Sequence, residues 1–399
     1  MEQKIRFLFI LSFFMLSSMG LGNYFFSSIG MSGWKQLLMI LLLPISIFSA
    51  SKVLEKSFFS MLALILAAIT CIYTFIVNGG VVGIAFNVWF YIAWVPYFLY
   101  FSKNDPLLFF SRYKNFLLAF VLVSALGIYV DMSTGYFSYL SANEESAAYA
   151  QLHGIAMRSA FWFVASTIVT PVVCGMAVIY FMLNPSSINQ IAVCLAIIVC
   201  GYSTGSLSGL FVSIVFSIAV VFSISKGSSV KMFSLSALAL AFIWLAIGLV
   251  VDTSQFIRIS ENLDMNSRAN IGRIEHWNYA LLLIGDFSLI EHVFGLGLGV
   301  TNSQHNVGYF IDTHGESSFL QAYLEAGLLG VVIRFLPFLV IFSAMLKGFY
   351  PNGVLVFVYT VSVLSAVALA PTFGATSLQV MIGVIAGIGV FRSKVKNVQ

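Results

Sequence analysis

Charged residues are scarce in this chain of 399 residues, in which Asp, Glu, Lys and Arg together make up 9%. A soluble domain usually contains about 25% charged residues, so this composition excludes a soluble globular protein of the same length. Apolar residues account for 60% of the chain, and the mean hydropathy is +0.99. The sequence therefore predicts a polytopic membrane protein.

Cysteine is also rare. The four cysteines, Cys71, Cys174, Cys194 and Cys200, all lie within apolar runs and lack the spacing of a metal site. We interpret them as packing residues. The sequence motifs predict neither a metal ion nor an organic cofactor.

The chain contains many long runs of apolar residues. A bilayer is crossed by about 20 apolar residues in a helix, and runs near this length predict an all-α protein with about twelve transmembrane helices. The runs fall near 5–25, 36–50, 58–77, 81–101, 115–131, 160–183, 189–202, 207–225, 232–251, 318–346, 353–371 and 376–391. The first run resembles a signal peptide. We interpret it as an uncleaved span, since its removal would break the alternation of charge described next.

The cations alternate between successive connections. With Met1 in the cytoplasm, the inner connections carry most of them, as the positive-inside rule requires. The inner cations are Lys4, Arg6, Lys52, Lys56, Lys103, Arg112, Lys114, Lys226, Lys231, Lys347, Arg392, Lys394 and Lys396. Most acids fall on the outer side. Both termini are therefore predicted to be cytoplasmic, and the net charge of +4 reports membrane topology rather than affinity for nucleic acid.

Two outer segments are long enough to carry chemistry within a single transmembrane domain spanning residues 1–399. The first covers 132–159 and the second covers 252–317. In the second, Asn266 or Ser267 can cap a helix whose apolar residues recur at three- and four-residue steps. Trp277 would lie on this helix at the level of the lipid headgroups. We therefore predict one large helical outer loop with an interfacial helix.

The stretch FGLGLGV at 294–300 follows this helix. It lacks the Lys-Ser/Thr pair of a phosphate-binding loop and the strand before it that a dinucleotide fold requires. Three glycines at alternate positions instead predict a sharp turn.

Several arginines lie in segments predicted to be on the outer side, where the positive-inside rule predicts few cations. Arg258, Arg268 and Arg273 in the second loop could form surface ion pairs, or could together bind a lipid phosphate or pyrophosphate, which guanidinium groups contact bidentately. Arg158 ends the first loop, where it could bind the same group or extend to the interface. Arg334 lies about 25 Å along a helix that starts near Ser317. It would line a polar interior or pair with another span.

His314 and Glu316 precede that helix and form the predicted catalytic pair. Anions and neutral bases are favoured at a helix N-terminus, so His314 could act as a base; the alternative is a solvated side chain. Gly327 and Gly330 predict close helix packing. The stretch STGSLSGL at 203–210 would either satisfy backbone groups in a turn or line a polar cavity.

Three stretches in the same order resemble the O-antigen ligase/polymerase superfamily of membrane glycosyltransferases. They are STGSLSGL at 203–210, RIEHWNYALLLIGDFSLIEHVFGLGLGV at 273–300 and HGESSFLQAYLEAGLLGV at 314–331. Leu207 stands where the turn of that family often carries an arginine. The thirteen residues from His314 to Gly327 also depart from the ligase spacing, which favours a polymerase.

This resemblance implies transfer of a glycan from undecaprenyl pyrophosphate to a sugar hydroxyl at the outer face of the bacterial inner membrane. The partners implied are undecaprenyl-pyrophosphate-linked glycans, the lipid bilayer and a chain-length regulator protein, with no nucleic acid. His314 or Glu316 would activate the acceptor, and the arginines would bind the pyrophosphate. The alternatives are a ligase that transfers the glycan to a lipid A core, and a transporter or flippase for lipid-linked oligosaccharides.

Overall fold

The computed structural model describes residues 2–31, 33–54, 58–78, 84, 87–137, 160–163, 165–223, 268–301, 317–369 and 375–396. Within these ranges every regular element is a helix, as predicted. The helices are α1 (Glu2–Ser17), α2 (Met19–Ser28), α3 (Trp34–Leu54), α4 (Phe58–Asn78), α5 (Trp89–Ile92), α6 (Val95–Lys103), α7 (Pro106–Ser111), α8 (Lys114–Thr134), α9 (Ser166–Met182), α10 (Ser187–Ser203), α11 (Leu207–Ser223), α12 (Arg268–Gly285), α13 (Leu289–Phe294), α14 (Ser318–Leu346), α15 (Gly353–Leu369) and α16 (Thr376–Lys396).

Three of these helices, α8, α14 and α16, are long and apolar enough to cross a bilayer, and α1 with α2 would make a fourth if the pair forms one bent span. Shorter apolar helices accompany them. Described helices overlap every predicted run except 232–251, which lies outside the described residues. The run at 81–101, predicted as one span, instead contains the two short helices α5 and α6. The number twelve and the cytoplasmic placement of the termini remain predictions.

The first predicted span is not straight. Between α1 and α2 the chain bends by 97°, which corrects the prediction of a single helix over 5–25. Ser17 donates a hydrogen bond to the Phe13 carbonyl at 2.6 Å, and Ser18 donates one to the Phe14 carbonyl at 2.8 Å. Serine hydroxyls bonded to the carbonyl four residues earlier often bend helices.

Helix α14 is broken as well, and the break changes the position of Arg334. Ala326 and Gly327 have non-helical backbone angles, and Gly327 has φ 56°. A continuous helix would separate Ser318 from Arg334 by about 24 Å, yet the Arg334 Nη1 lies 3.0 Å from the Ser318 carbonyl oxygen. The chain therefore turns back on itself between a first arm, residues 318–325, and a second arm, residues 328–346.

The two arms pack against each other. Phe319 and Phe335 stack with their ring centroids 4.0 Å apart. The second arm is about 28 Å long at 1.5 Å per residue, close to the thickness of the hydrocarbon core. The predicted depth of Arg334, about 25 Å from the start of the helix, is wrong because that estimate assumed a straight helix.

One end of the bundle gathers basic residues from distant parts of the chain. Lys394 donates to the Ser102 carbonyl at 2.9 Å, Lys396 to the Gly348 carbonyl at 2.9 Å, and Lys114 to the Leu183 carbonyl at 3.4 Å. These contacts involve the C-terminal ends of α16, α6, α14 and α9 and the start of α8. We call this the basic end.

The opposite end carries the start of α16. There the Gln379 amide donates to the Phe90 carbonyl at 2.5 Å, and the carboxylate of Asp131 accepts from the backbone amides of Phe137 and Phe161 at 2.9 and 3.3 Å. Tyr91 follows Phe90 directly. The contacts of Tyr91 with α14, described below, therefore lie toward this end and away from the basic end.

A helix is present at the position predicted in the second long segment, as α12, and its interfacial placement remains a prediction. Its apolar residues Ile271, Ile274 and Leu281 are exposed, while Ala280 is buried. The helix contacts α14 through one side and leaves an apolar stripe on another. Such a stripe suits the boundary between lipid and water.

Candidate functional site

The glycine-rich turn after α13 caps the broken helix. A helix that stops leaves its last carbonyl groups without helical partners. Here the Leu296 amide donates to the Leu324 carbonyl at 2.8 Å, and the Gly297 amide donates to the Glu325 carbonyl at 2.9 Å. The turn thereby stabilises the end of the first arm of α14.

Glycine is required on both sides of this contact. Gly295 and Gly327 have φ of 72° and 56°, a region that other residues rarely adopt. A Cβ on Gly327 would lie 2.5 Å from the Val293 carbonyl carbon, and one on Gly295 would lie 2.4 Å from the Ala326 amide nitrogen. The predicted turn at 295–299 is confirmed. The prediction that Gly327 permits close packing is confirmed, because the backbone of Val293 in α13 lies against it, and Gly327 also permits the break in α14.

Glu325 is fully buried at the end of the first arm. The Tyr91 hydroxyl donates to its Oε2 at 2.7 Å. Its Oε1 accepts from the Thr301 hydroxyl and, at 3.5 Å, from the Gln321 amide. A buried carboxylate is costly unless donors surround it, and these three donors come from three separate parts of the chain.

Arg334 is fully buried on the second arm. Its Nη1 donates to the Ser318 carbonyl at 3.0 Å and to Oε1 of Gln321 at 3.3 Å. The guanidinium carbon lies 4.3 Å from the centre of the Tyr91 ring, a cation–π contact. Tyr91 therefore contacts Arg334 through its ring face and Glu325 through its hydroxyl.

One edge of the Arg334 guanidinium has no hydrogen-bond partner in the described part of the chain. The Nε and Nη2 atoms are both buried and unpaired there, and these two donors point from the same edge of the planar group, the edge that contacts carboxylate or phosphate bidentately. An uncompensated charge inside a membrane protein is costly. This edge is consequently suited to an anion.

The first arm of α14 adds to this preference. Its N-terminus begins at Ser318, whose own carbonyl contacts Arg334, and the side chain of its N-cap, Ser317, makes no capping hydrogen bond. Backbone N–H groups at a helix start favour anions. The hairpin therefore places a guanidinium edge close to the positive end of a helix.

The sequence left two alternatives for Arg334, a polar interior or an ion pair with another span. No carboxylate in the described ranges forms an ion pair with it, since its recorded partners are a carbonyl, an amide oxygen and an aromatic ring. Those contacts fit the polar interior.

The remaining predicted site residues are only partly placed. Arg273 is half-buried on α12, which packs against α14. Arg268 is the first residue of α12, and its side chain lies outside the described part. Arg158, Arg258, His314 and Glu316 also lie outside the described residues. Their predicted roles in pyrophosphate binding and catalysis stay predictions.

A second group of polar and aromatic side chains joins α13 to the first arm. The Nδ1 of His292 lies 2.8 Å from the Tyr323 hydroxyl, and Phe287 stacks on the Tyr323 ring at 6.3 Å. Ser288 and Glu291 form a capping box at the start of α13. Hydrogen bonds from the backbone and side chain of Ser288 lower the pKa of Glu291 below its ordinary value.

The stretch 203–210 forms a turn in which hydroxyl groups satisfy the backbone. The Thr204 hydroxyl donates to the Gly201 carbonyl at 3.0 Å, and the Ser206 oxygen accepts from the Gly209 amide at 3.4 Å. This favours the first of the two alternatives drawn from the sequence.

Sequence reasoning missed four members of the buried cluster. Glu325 and Gln321 fall inside the motif at 314–331, so a signal was present, but the motif alone assigned them no role. Tyr91 and Thr301 carry no local signal, because Tyr91 is 234 positions from Glu325 in the chain. Only the folded arrangement brings them together.

Comparison with family models returns no match, and neither does comparison with curated proteins. The resemblance to membrane glycosyltransferases therefore rests on the motifs themselves.

Proposed function

We propose that the protein polymerises undecaprenyl-pyrophosphate-linked oligosaccharide repeat units at the outer face of the bacterial inner membrane. The observation that carries this proposal is the fully buried Nε–Nη2 edge of Arg334 beside the start of α14, which has no hydrogen-bond partner among the described residues. A pyrophosphate is the anion that matches it, because two of its oxygens can accept from Nε and Nη2 together.

In this reaction, negative charge develops on the pyrophosphate as it leaves. A sugar hydroxyl of one repeat unit attacks the anomeric carbon of another, the bond from that carbon to the phosphate oxygen breaks, and undecaprenyl pyrophosphate leaves with the electron pair. Arg334 stabilises the negative charge on the leaving group, which is the main electrostatic requirement of this step. His314 or Glu316 takes the proton from the attacking hydroxyl.

The position of the cluster supports this assignment. The cluster lies toward the end of the bundle opposite the basic end, and the positive-inside rule places basic connections in the cytoplasm. Orientation and site thus agree with chemistry on the outer side, where lipid-linked repeat units are joined in the reaction that the resemblance implies.

The test is Arg334→Gln in cells that lack the chromosomal gene. Loss of one preorganised donor to a developing anion reduces turnover by about 100-fold or more, so single repeat units should accumulate on the lipid carrier. Arg334→Lys keeps the charge but loses the bidentate edge, and should also be impaired. Arg112→Gln, an exposed cation outside the cluster, is the control and should leave polymer length unchanged.

The same lipid analysis distinguishes polymerase from ligase. A polymerase variant leaves single units on the carrier and a single unit on the final acceptor, whereas a ligase variant leaves long chains on the carrier. Normal polymer with Arg334→Gln at wild-type protein abundance would refute the proposal.

A carrier for lipid-linked sugars is the second candidate, and the break in α14 favours it. Transporters commonly bind anionic groups at the N-termini of discontinuous helices, as the first arm of α14 would allow. Purified protein in liposomes with lipid-linked repeat units on both leaflets separates the two: a polymerase lengthens the glycan, and a carrier moves it between leaflets without new glycosidic bonds.

A further inference from the structure

A cavity of about 620 Å³ opens at the basic end, remote from the Arg334 cluster. Three parts of the chain line it: the start of α7, the loop after α14 and the last two turns of α16. Asp105, Tyr350, Phe391, Arg392 and Lys396 are among the residues in its wall. Nothing in the proposed glycosyl transfer uses this cavity.

The wall of the cavity is basic in effect. Its single acid, Asp105, is already engaged, because its Oδ1 accepts from the Leu107 and Leu108 amides at 2.9 and 3.1 Å and caps α7. Lys396 is held in place, with Nζ 2.9 Å from the Gly348 carbonyl oxygen. Arg392 is half-buried in the same wall. Two cations and one carboxylate thus line this space, which leaves its wall with a net positive charge.

A smaller cavity of about 150 Å³ adjoins the first, since Phe349 lines both. Its wall is mostly apolar and includes Phe59, Val340, Ala344 and Val390. Phe59 is at the start of α4, and Val390 is about 9 Å from Lys396 along α16. The smaller cavity begins at Lys347 and Ser393, beside the basic cavity, and extends along α14 to Val340, about two turns further from the basic end.

This order of polarity matches a phospholipid more closely than a free anion. A lipid phosphate requires cations near the membrane surface, and its acyl chain requires apolar surface further in. Basic pockets between membrane helices are known to bind anionic headgroups, and a soluble phosphate would leave the smaller cavity unused.

We propose that the basic end binds one anionic phospholipid, with its phosphate against Arg392 and Lys396 and one acyl chain in the smaller cavity lined by Val340, Ala344 and Val390. The site is independent of the proposed polymerase, because it lies at the other end of the bundle and needs no lipid-linked sugar.

The test uses the full chain in nanodiscs of equal parts phosphatidylglycerol and phosphatidylcholine. Native mass spectrometry after extraction counts the retained lipids. The wild type should retain more phosphatidylglycerol than phosphatidylcholine. The double variant Arg392→Gln/Lys396→Gln should retain at least about 10-fold less phosphatidylglycerol than the wild type. The matched control Arg112→Gln removes a nearby cation that does not line the cavity and should behave as the wild type.

Two outcomes would overturn the proposal. One is equal retention of both lipids by the wild type, and the other is unchanged retention of phosphatidylglycerol by the double variant. A third experiment measures the unfolding temperature of the protein in detergent with added sodium phosphate or added phosphatidylglycerol. An equal rise in unfolding temperature with both would assign the cavity to a free anion and would also overturn the proposal. Thermal unfolding of each variant in phosphatidylcholine alone confirms that a loss of lipid is not a loss of fold.

Discussion

At the scale of single residues, Tyr91 determines how two opposite charges share one buried region. The centre of its ring lies 4.3 Å from the guanidinium carbon of Arg334, and its hydroxyl donates a hydrogen bond to Oε2 of Glu325 at 2.7 Å. The ring thus lies between the cation and the carboxylate. Glu325 is satisfied by other donors, and the Nε–Nη2 edge of Arg334 has no hydrogen-bond partner among the described residues.

We expect Tyr91→Phe to separate these two contacts. The variant keeps the ring over Arg334 but removes a hydrogen bond to a buried carboxylate, which costs about 1–3 kcal/mol. Tyr91→Leu should cost more, since it loses the cation–π contact as well. Thermal unfolding in detergent measures both, with Tyr136→Phe, an exposed tyrosine, as the control. Equal destabilisation by Phe and Leu would contradict the role of the ring.

Glu291 provides a prediction on pH. Its pKa is lowered in the folded state by the bonds from Ser288. The stabilisation of α13 is therefore present above the unfolded pKa and is lost as the pH falls through the folded value. Hydrogen exchange of the α13 amides should accelerate in that acid range. Glu291→Gln should remove this pH dependence, and the exposed Glu275→Gln should retain it.

At the scale of elements, the broken α14 is the feature that builds the site. An unbroken helix of 29 residues would be about 43 Å long and would exceed the hydrocarbon core. The break shortens the span, brings Arg334 back to Ser318, and leaves carbonyls that the 295–299 turn satisfies. Backbone hydrogen bonds thus join the turn that ends before residue 302 to the helix that begins at Ser318.

Gly327→Ala should disrupt this junction. Alanine at this position would have to adopt a strained backbone conformation, which costs about 1–3 kcal/mol of stability. Its Cβ would also lie 2.5 Å from the carbonyl carbon of Val293. We expect lower protein abundance and earlier thermal unfolding. Gly353→Ala is the matched control, because its Cβ would meet nothing within 4 Å. Wild-type stability of Gly327→Ala would show that the break is not required.

At the scale of the whole molecule, the two ends differ in charge. Lys114, Lys394 and Lys396 contact backbone carbonyls at the basic end, while the Arg334–Glu325 cluster lies toward the other end. A bundle with this distribution has one orientation that agrees with the positive-inside rule. The proposed function requires that orientation.

Single cysteines test the orientation directly. In a variant without Cys71, Cys174, Cys194 and Cys200, a cysteine at Asp286 should react with a membrane-impermeant thiol reagent in spheroplasts. A cysteine at Lys347 should react only after the membrane is permeabilised. The reverse pattern would place α12 and α13 in the cytoplasm and would end the proposal of chemistry on the outer side.

The sequence by itself determined the all-α class, the positions of most helices, the turn at 295–299 and the helix at α12. Each of these features depends on how neighbouring side chains partition between water and lipid, or on local backbone freedom. Both properties can be inferred from a few consecutive residues. The sequence also singled out Arg334 as a cation in an apolar segment, and it is buried. It could not locate that cation, because the depth was counted along a straight helix.

Only the tertiary structure decided which groups meet at Arg334. The cluster needs a chain reversal at Ala326–Gly327 and the approach of Tyr91 and Thr301 from other elements. Such contacts depend on distances across the fold, and hydropathy and spacing contain no information on them. Local partition therefore predicts which segments form helices, whereas the packing of distant segments determines which described side chains surround Arg334 and which of its donors they leave unpaired.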